Sequence, residues 1–200
     1  MNHKHFRPFA LILCLTLVLL AFTGCAHPLA KEAKDLERGQ FSLRIAAGPE
    51  GSEEKALADA LAKLLKDAGY GATVLVTEGP VQNVTNLTEY KADLAIVSAD
   101  DLTAAVNGTG DFSGKAQNNL HALMSLGVSG DGSRNVLLCS DDTMDAMAWD
   151  MLSCIAKSLG SLQAACKDGS EITMENGSSD IPVALNDGAA AYFDKKPWTK

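Results

Sequence analysis

The sequence predicts an α/β domain in which helices cover both faces of a mostly parallel sheet. Over residues 41–106, short apolar segments of strand length alternate with segments of helical spacing. The order strand, helix, strand, helix, strand is typical of parallel strands joined by crossover helices. The third strand, residues 93–97 (DLAIV), is almost continuously apolar, as in strands buried on both faces. The chain has 200 residues, 46% hydrophobic and 21% charged, which is an ordinary globular composition.

The first strand and the first helix have clear local signals. Residues 41–46 (FSLRIA) predict a strand, and residues 48–51 (GPEG) predict the turn that follows it. Residues 53–68 predict a helix, because apolar side chains recur there at helical spacing: Leu57, Leu61, Leu64, Leu65 and Ala68. Ser52 is expected to cap this helix, and residues 67–71 (DAGYG) end it.

The next elements continue the alternation. Residues 72–77 (ATVLVT) predict the second strand and residues 81–90 a short helix. After the third strand, a helix over residues 100–106 is interrupted by the loop 107–110 (NGTG). Adjacent carboxylates occur at 100–101 and 141–142, where a strand meets a helix, and we interpret both pairs as helix caps.

The second half of the body predicts a hairpin and a long helix. Strand segments at 120–126 and 135–139 are joined by residues 127–134 (GVSGDGSR), which have the composition of a hairpin turn. A helix is predicted from about 142 to 159, with one apolar stripe that includes Leu162 beyond its end. The stripe consists of Met144, Met147, Met151, Ile155, Leu159 and Leu162. We interpret its methionines as core packing and not as a cofactor site.

Residues 1–24 have the features of a lipoprotein signal peptide. A basic start (Lys4 and Arg7) precedes an apolar run of 14 residues at 9–22, which is shorter than the about 20 residues of a membrane span. The following Phe22-Thr23-Gly24-Cys25 resembles the bacterial lipobox, except that Phe22 stands where Leu is usual. This resemblance implies a lipid on Cys25 and a location on the periplasmic face of a bacterial membrane, inner or outer. A signal peptide cut elsewhere and an uncleaved anchor are the alternatives.

A polar segment separates the lipidation motif from the body. Residues 25–40 are predicted to comprise the lipidated cysteine and a tether, because residues 26–40 have no sustained apolar face. The alternative is a short helix over residues 29–37.

Three cysteines remain in the body, and their number leaves the pairing open. Cys139, Cys154 and Cys166 allow three single disulfides, and none has the spacing of a redox or zinc CxxC motif. In one unbroken helix, Cys154 and Cys166 would lie about 18 Å apart, too far for a disulfide unless Gly160 breaks the helix. We interpret all three as small buried hydrophobic side chains.

The charge balance and the motifs argue against several function classes. The net charge of −8 becomes −10 when the first 25 residues are removed, which argues against a nucleic-acid binder, because such a protein would show a basic face. Only His27 and His121 lie beyond that segment, so a histidine-rich metal site is not expected. Residues 127–131 (GVSGD) lack the last glycine of a nucleophile elbow, and no dinucleotide, Walker or HExxH motif occurs. The sequence predicts neither an enzyme nor a cofactor.

Five segments in the same order resemble one family of binding proteins. Residues 45–65 (IAAGPEGSEEKALADALAKLL) align without a gap with the opening of the TAXI family of TRAP-transporter solute-binding proteins, roughly I-G-T-G-x-x-G-G-x-Y-Y-P-x-G-x-A-L-A-x-L-L. Residues 91–110 resemble its A-D-L-A-x-V-Q-S-D segment, and residues 118–126 its N-L-R-A-L-x-x-L strand. Residues 136–162 and 181–193 resemble its return strand, long helix and I-P-L-H-P-G-A-A-x-Y-Y ending.

The resemblance covers residues 41–196 but lacks a part of the family. In the family, a complete second lobe lies between the segments matching Leu126 and Asn135, and here only eight residues bridge them. The resemblance therefore implies a single lobe of a periplasmic-binding-protein-like (type II) fold. A lobe of this size buries about 70% of its unfolded surface and can fold alone.

The fold and the resemblance together predict where a solute would bind. Ligands of open α/β sheets bind at the carboxyl ends of the strands, where helix N-termini point. The candidate ligand-binding residues there are Gly48, Gly51, Ser52, Thr77, Asn83, Ser98 and Asp100. The family's paired Tyr correspond to Glu54 and Lys55, and its Pro to Ala56, which argues against its usual anionic ligand.

Two functions follow as expectations. The first is a lipid-anchored solute-binding protein that binds weakly, or completes its site by forming a homodimer or by docking on a TRAP permease. The second is a scaffold lipoprotein that has lost the solute and contacts another envelope protein through the former cleft face. An exposed apolar patch on that face would favour the second.

Overall fold

A computed structural model describes residues 32–34, 36–128, 132–166 and 171–194. The signal peptide and Cys25 lie outside these residues. In the described part, five strands form one sheet in the order β2-β1-β3-β5-β4. They are β1 Ser42–Ala46, β2 Gly71–Leu75, β3 Leu94–Ser98, β4 His121–Val128 and β5 Arg134–Cys139.

All strands of the sheet except β5 run in the same direction. β1 pairs in parallel with both β2 and β3, whereas β5 is antiparallel to both β3 and β4. Four strands therefore point one way and β5 points the other. The predicted mostly parallel α/β fold is confirmed, and it is consistent with a single lobe of a periplasmic-binding-protein-like fold.

Three of the helices connect strands β1 to β4, and three more follow β5. The helices are α1 Glu53–Asp67, α2 Pro80–Thr88, α3 Ala99–Asn107, α4 Asp145–Lys157, α5 Leu159–Ala165 and α6 Asp187–Asp194. The 3-10 turns are Arg38–Gln40 and Gly110–Phe112. In the described part of the chain, none of the helices combines the length and the apolar character needed to span a bilayer.

Alternating side chains of the central strands build two cores. Leu94 and Ile96 of β3 face a core that α1 and α4 cover. Ala95 and Val97, one position along, face the second core, which α2 and α3 cover. Because successive side chains of a strand point to opposite faces, this continuously apolar strand needs helices on both sides.

The structure shortens the predicted long helix and splits it. Met144 is extended (φ −62°, ψ 137°), so α4 begins after it. Ser158 (φ −129°, ψ 27°) leaves the helical region, so α4 ends at Lys157 and α5 starts in a new direction. Met147, Met151 and Leu162 are buried as predicted, but Met144 is exposed.

The three cysteines of the body are buried thiols, as interpreted from the sequence. Cys139 lies on β5, Cys154 on α4 and Cys166 after α5. Burial raises the pKa of the Cys139 thiol to about 12, so it stays protonated at physiological pH.

The described part of the predicted tether packs on the lobe. Residues 32–34 are helical and Ala33 is buried, while Leu36 contacts the core. Arg38 forms a bidentate ion pair with buried Asp150 of α4, with Nε–Oδ2 and Nη2–Oδ1 distances of 2.7 Å. Its other terminal nitrogen donates to the Ala68 carbonyl at 2.9 Å. The connection to the body is therefore held in place before β1 begins.

Candidate functional site

The carboxyl ends of β1, β2 and β3 meet the N-termini of three helices at one edge of the sheet, here called the carboxyl edge. A loop leads from β1 to α1, a turn leads from β2 to α2, and α3 follows β3 directly. A cleft of about 90 Å³ lies among them. Its lining includes Gly48, Asn83 and Ser98 of the predicted site, together with Glu54, Gly79 and Asp101. The other predicted residues lie outside the lining. Asp100 precedes Asp101, Thr77 donates a hydrogen bond to Asn83, and Gly51 and Ser52 lie in the loop between Gly48 and Glu54.

The loop after β1 is shaped by glycine and by a helix cap. A Cβ on Gly48 would approach Ser52 Oγ to 2.7 Å, so a larger residue would push Ser52 out of place. Ser52 Oγ accepts a hydrogen bond from the Lys55 amide at 3.2 Å and caps α1, as expected. Gly51 has φ +84°, a conformation that side chains other than glycine rarely adopt.

Asn83 ties the ends of three strands together. Its amide nitrogen donates to the Ala47 carbonyl and, at 2.9 Å, to the Ile96 carbonyl. Its amide oxygen accepts from the hydroxyl of Thr77, which follows β2. Asn83 is 2% exposed, and both its amide hydrogens are used within the protein. This geometry favours a structural role for Asn83 and Thr77, and the prediction that they bind a ligand stays a prediction.

Ser98 and the two aspartates after it form the start of α3. Ser98 Oγ accepts from the Asp101 amide at 3.0 Å and donates to Asp101 Oδ2 at 2.6 Å, which is a reciprocal helix cap. Asp100 is exposed on the same turn, whereas Asp101 lines the cleft. From the sequence, Asp100 is predicted to bind a ligand. The residue three positions after the helix cap Ser98 is Asp101, and this spacing would have indicated Asp101 instead.

The ionisable side chains that line the cleft are both acidic. Glu54 lies in the first turn of α1 and Asp101 in the first turn of α3, where carboxylates stabilise the positive ends of the helix dipoles. Lys55 does not neutralise them, because its amine is 2.6 Å from Asp59 and 3.8 Å from Glu50. The hydrogen bond to Asp59 raises the pKa of Lys55 above its ordinary value. Carboxylates occupy the positions where an anion would otherwise be attracted.

Part of this fold matches a known protein family. Residues 45–130 match the model of the NMT1-like family. That family is related to periplasmic solute-binding proteins. A search among curated proteins finds no match to the chain.

The family match includes the whole cleft. Residues 45–130 contain the ends of β1, β2 and β3 and the starts of α1, α2 and α3, while β5 and α4 to α6 lie beyond it. The similarity to the NMT1-like family, a family of binding proteins, thus suggests a function related to solute binding.

A second hollow lies at the opposite edge of the sheet, here called the amino edge. It has a volume of about 230 Å³, and its lining includes Tyr90, Asn118 and Asp141. The Tyr90 hydroxyl donates to Asp141 Oδ1 at 2.8 Å, and this hydrogen bond raises the pKa of Tyr90 above its ordinary value. The Tyr90 hydroxyl therefore already has a hydrogen-bond acceptor within the protein.

Proposed function

We propose that the chain is a membrane-anchored, extracytoplasmic lipoprotein related to the TAXI-type solute-binding proteins of TRAP transporters. It binds a small organic solute weakly, or with a partner, in the cleft at the carboxyl edge. The observation that carries this proposal is the meeting of three strand ends and three helix N-termini around that cleft, where open α/β sheets bind ligands. The similarity of residues 45–130 to the NMT1-like family supports it.

The size of the cleft is the reason to expect weak binding. Its volume of about 90 Å³ is well below the roughly 300–1,000 Å³ of ordinary small-molecule pockets. Two-lobed receptors enclose the solute by closing a second lobe over it. Here β4 and β5 are antiparallel neighbours with Val128 opposite Arg134, so the described lobe is compatible with a receptor that has kept one lobe. A second copy of the chain or a permease would then complete the site.

A thermal-shift screen tests solute binding. The full chain in a non-ionic detergent is heated with organic acids, amines, amino acids and dipeptides, and its oligomeric state is measured in parallel. A solute at 100 times its Kd adds about 2.7 kcal/mol of stability, which raises Tm by several degrees. We expect amine-bearing solutes to give the larger shifts, because Glu54 and Asp101 line the cleft. No shift with any compound would contradict solute binding.

The proposed anchor has a separate test. Mass spectrometry of the chain extracted from bacterial membranes should show a mature protein that begins at Cys25 and carries two or three acyl chains. A Cys25→Ser variant should lose these chains and move to the soluble fraction, because stable anchoring needs more than one chain. A wild-type mass that corresponds to the unmodified sequence would rule out lipidation.

One observation favours a second function, that of an interaction lipoprotein without a solute. Val76 after β2 and Val81 in α2 are 50% and 38% exposed, and both lie beside the cleft at the carboxyl edge. The amide of Asn83, which would suit a solute, is used within the fold. Exposed apolar side chains grouped beside a small cleft favour a surface that contacts another protein.

A further inference from the structure

A groove continues from the cleft along the start of α2. It has a volume of about 400 Å³, and its lining includes Glu78, Pro80, Val81, Thr85 and Asp111. Gly79 and Pro80 line both the groove and the cleft, so the two hollows adjoin there, and together they are called the depression. Glu54 and Asp101 line its cleft part, and Glu78 and Asp111 line its groove part.

The floor of the groove is more apolar than the floor of the cleft. Pro80 and Val81 lie in it, and Val76, outside the lining and directly after β2, is half exposed. Large hydrophobic side chains exposed by more than a third occur at four described positions, and two of the four are Val76 and Val81. Covering these side chains would remove apolar surface from water, which favours an occupant with apolar groups of its own.

The ionisable side chains that line the depression are all negatively charged. Its lining contains four ionisable side chains, and all are carboxylates: Glu54, Glu78, Asp101 and Asp111. Exposed Asp100 and Glu50 lie on the adjoining turns. An anionic occupant would be repelled along the whole depression, whereas a cationic one would meet carboxylates at both ends.

We propose that this depression docks a basic, partly apolar polypeptide segment of a partner protein. Lysine or arginine side chains of the segment approach Glu54 and Asp101 at the cleft and Glu78 and Asp111 along the groove. Apolar side chains between them cover Pro80 and Val81. A small amine would satisfy the cleft alone and leave the valine side chains exposed, so the length and the apolar floor of the groove favour a polypeptide.

This inference rests on the interaction function proposed above and specifies the chemistry of its partner. It does not require solute binding. A solute that shifts Tm while peptides fail to bind would overturn the inference and leave the solute-binding function standing. Peptide binding without a Tm shift from any solute would support the inference and contradict the solute-binding function.

The test uses three nine-residue peptides with matched lengths: alternating Lys and Val, alternating Glu and Val, and alternating Lys and Ser. The full chain is placed in phosphatidylcholine nanodiscs, and fluorescence anisotropy of labelled peptides is measured against empty discs. The Lys–Val peptide should bind about tenfold more tightly than the Glu–Val peptide, and its affinity should fall with added salt. It should also bind more tightly than the Lys–Ser peptide, which lacks apolar side chains. Equal affinities for the three peptides would overturn the inference.

Matched variants locate the binding. A Glu78→Gln, Asp111→Asn variant should weaken the Lys–Val peptide about fivefold, as expected for the loss of two exposed charge contacts. The control variant is Glu175→Gln with Asp187→Asn. It removes two exposed carboxylates from segments beside β4, at the opposite end of the strand order from β2, and should leave the affinity for the Lys–Val peptide unchanged. Val81→Ser should weaken the Lys–Val peptide while leaving the Lys–Ser peptide unaffected. Equal loss in the groove variant and the control would show nonspecific attraction to an acidic protein and would overturn the inference.

Discussion

Carboxylate side chains have opposite surroundings at the two edges of the sheet. At the amino edge, Asp150 is buried and receives two hydrogen bonds from Arg38 and one, at 2.7 Å, from the Tyr70 hydroxyl. At the carboxyl edge, Glu54 and Asp101 line an open cleft without a basic side chain among its lining residues.

This difference separates a region that stabilises the fold from one that is available for binding. A buried charge that loses its partner is costly, so the pair of Arg38 and buried Asp150 at the amino edge should be sensitive to substitution. Carboxylates that remain in contact with water cost little to keep or to remove, so the carboxyl edge should tolerate neutralisation.

The largest expected effect is at the amino edge. Arg38→Met should destabilise the protein by about 2–4 kcal/mol, because it leaves the carboxylate of Asp150 buried without its cation. Arg44→Met is the matched control, since Arg44 and Asp93 form a similar pair that is more exposed. It should cost about 1 kcal/mol or less in the same urea titration. Equal losses in the two variants would remove the contrast between buried and exposed pairs.

Asn83→Ala is expected to have the next largest effect, although Asn83 lies at the carboxyl edge. It removes the amide that links Ala47, Ile96 and Thr77, and we expect a loss of about 2–3 kcal/mol from the unsatisfied buried groups. Urea unfolding measures this loss. A variant of normal stability would mean that Asn83 is kept for a ligand and not for the fold.

Tyr70→Phe should lower the free energy of unfolding by about 1 kcal/mol at pH 7, because it removes one buried hydrogen bond. Burial, with the hydrogen bond to Asp150, raises the pKa of Tyr70 above its ordinary value. Above about pH 10 the unfolded chain therefore loses this proton before the folded protein does, and stability falls as pH rises.

The pH profile of the free energy of unfolding distinguishes this effect from a general loss. Tyr70→Phe should remove only the part of the alkaline fall that sets in above about pH 10, while the fall from Cys139, whose pKa is also raised and which starts at lower pH, remains. An unchanged alkaline slope in the variant would contradict the assignment of this proton to Tyr70.

The smallest effect is expected from neutralising the groove. Glu78→Gln with Asp111→Asn should change the free energy of unfolding by less than about 0.5 kcal/mol, because both side chains are exposed. Thermal unfolding checks this, and it also shows that any loss of peptide affinity in this variant is not a loss of folding. A large destabilisation would mean that the carboxyl edge is structural as well.

The sequence predicted the elements that depend on local pattern. The strands and the first three helices lie within a few residues of their predicted positions, because apolar periodicity and caps such as Ser52 and Ser98 are short-range signals. The break at Ser158 was missed, since the apolar stripe continues across it to Leu162.

The contacts that define the two edges could not be predicted in the same way. Arg38 and Asp150 are 112 residues apart, and only the finished fold brings them together. Asn83 was identified as a site residue, but its internal hydrogen bonds depend on the ends of three strands meeting. The cleft itself was predicted from the fold class, whereas its acidic lining by Asp101 required the position of α3.

Hydrogen–deuterium exchange of the full chain in nanodiscs, with and without saturating Lys–Val peptide, tests the central claim most directly. We predict that protection increases at the carboxyl edge, in residues 47–54, 76–85 and 98–111. Residues 36–40 and 145–150 at the amino edge should exchange at unchanged rates. Protection confined to the amino edge, or absent at both edges, would contradict the conclusion that the carboxyl edge is the binding face.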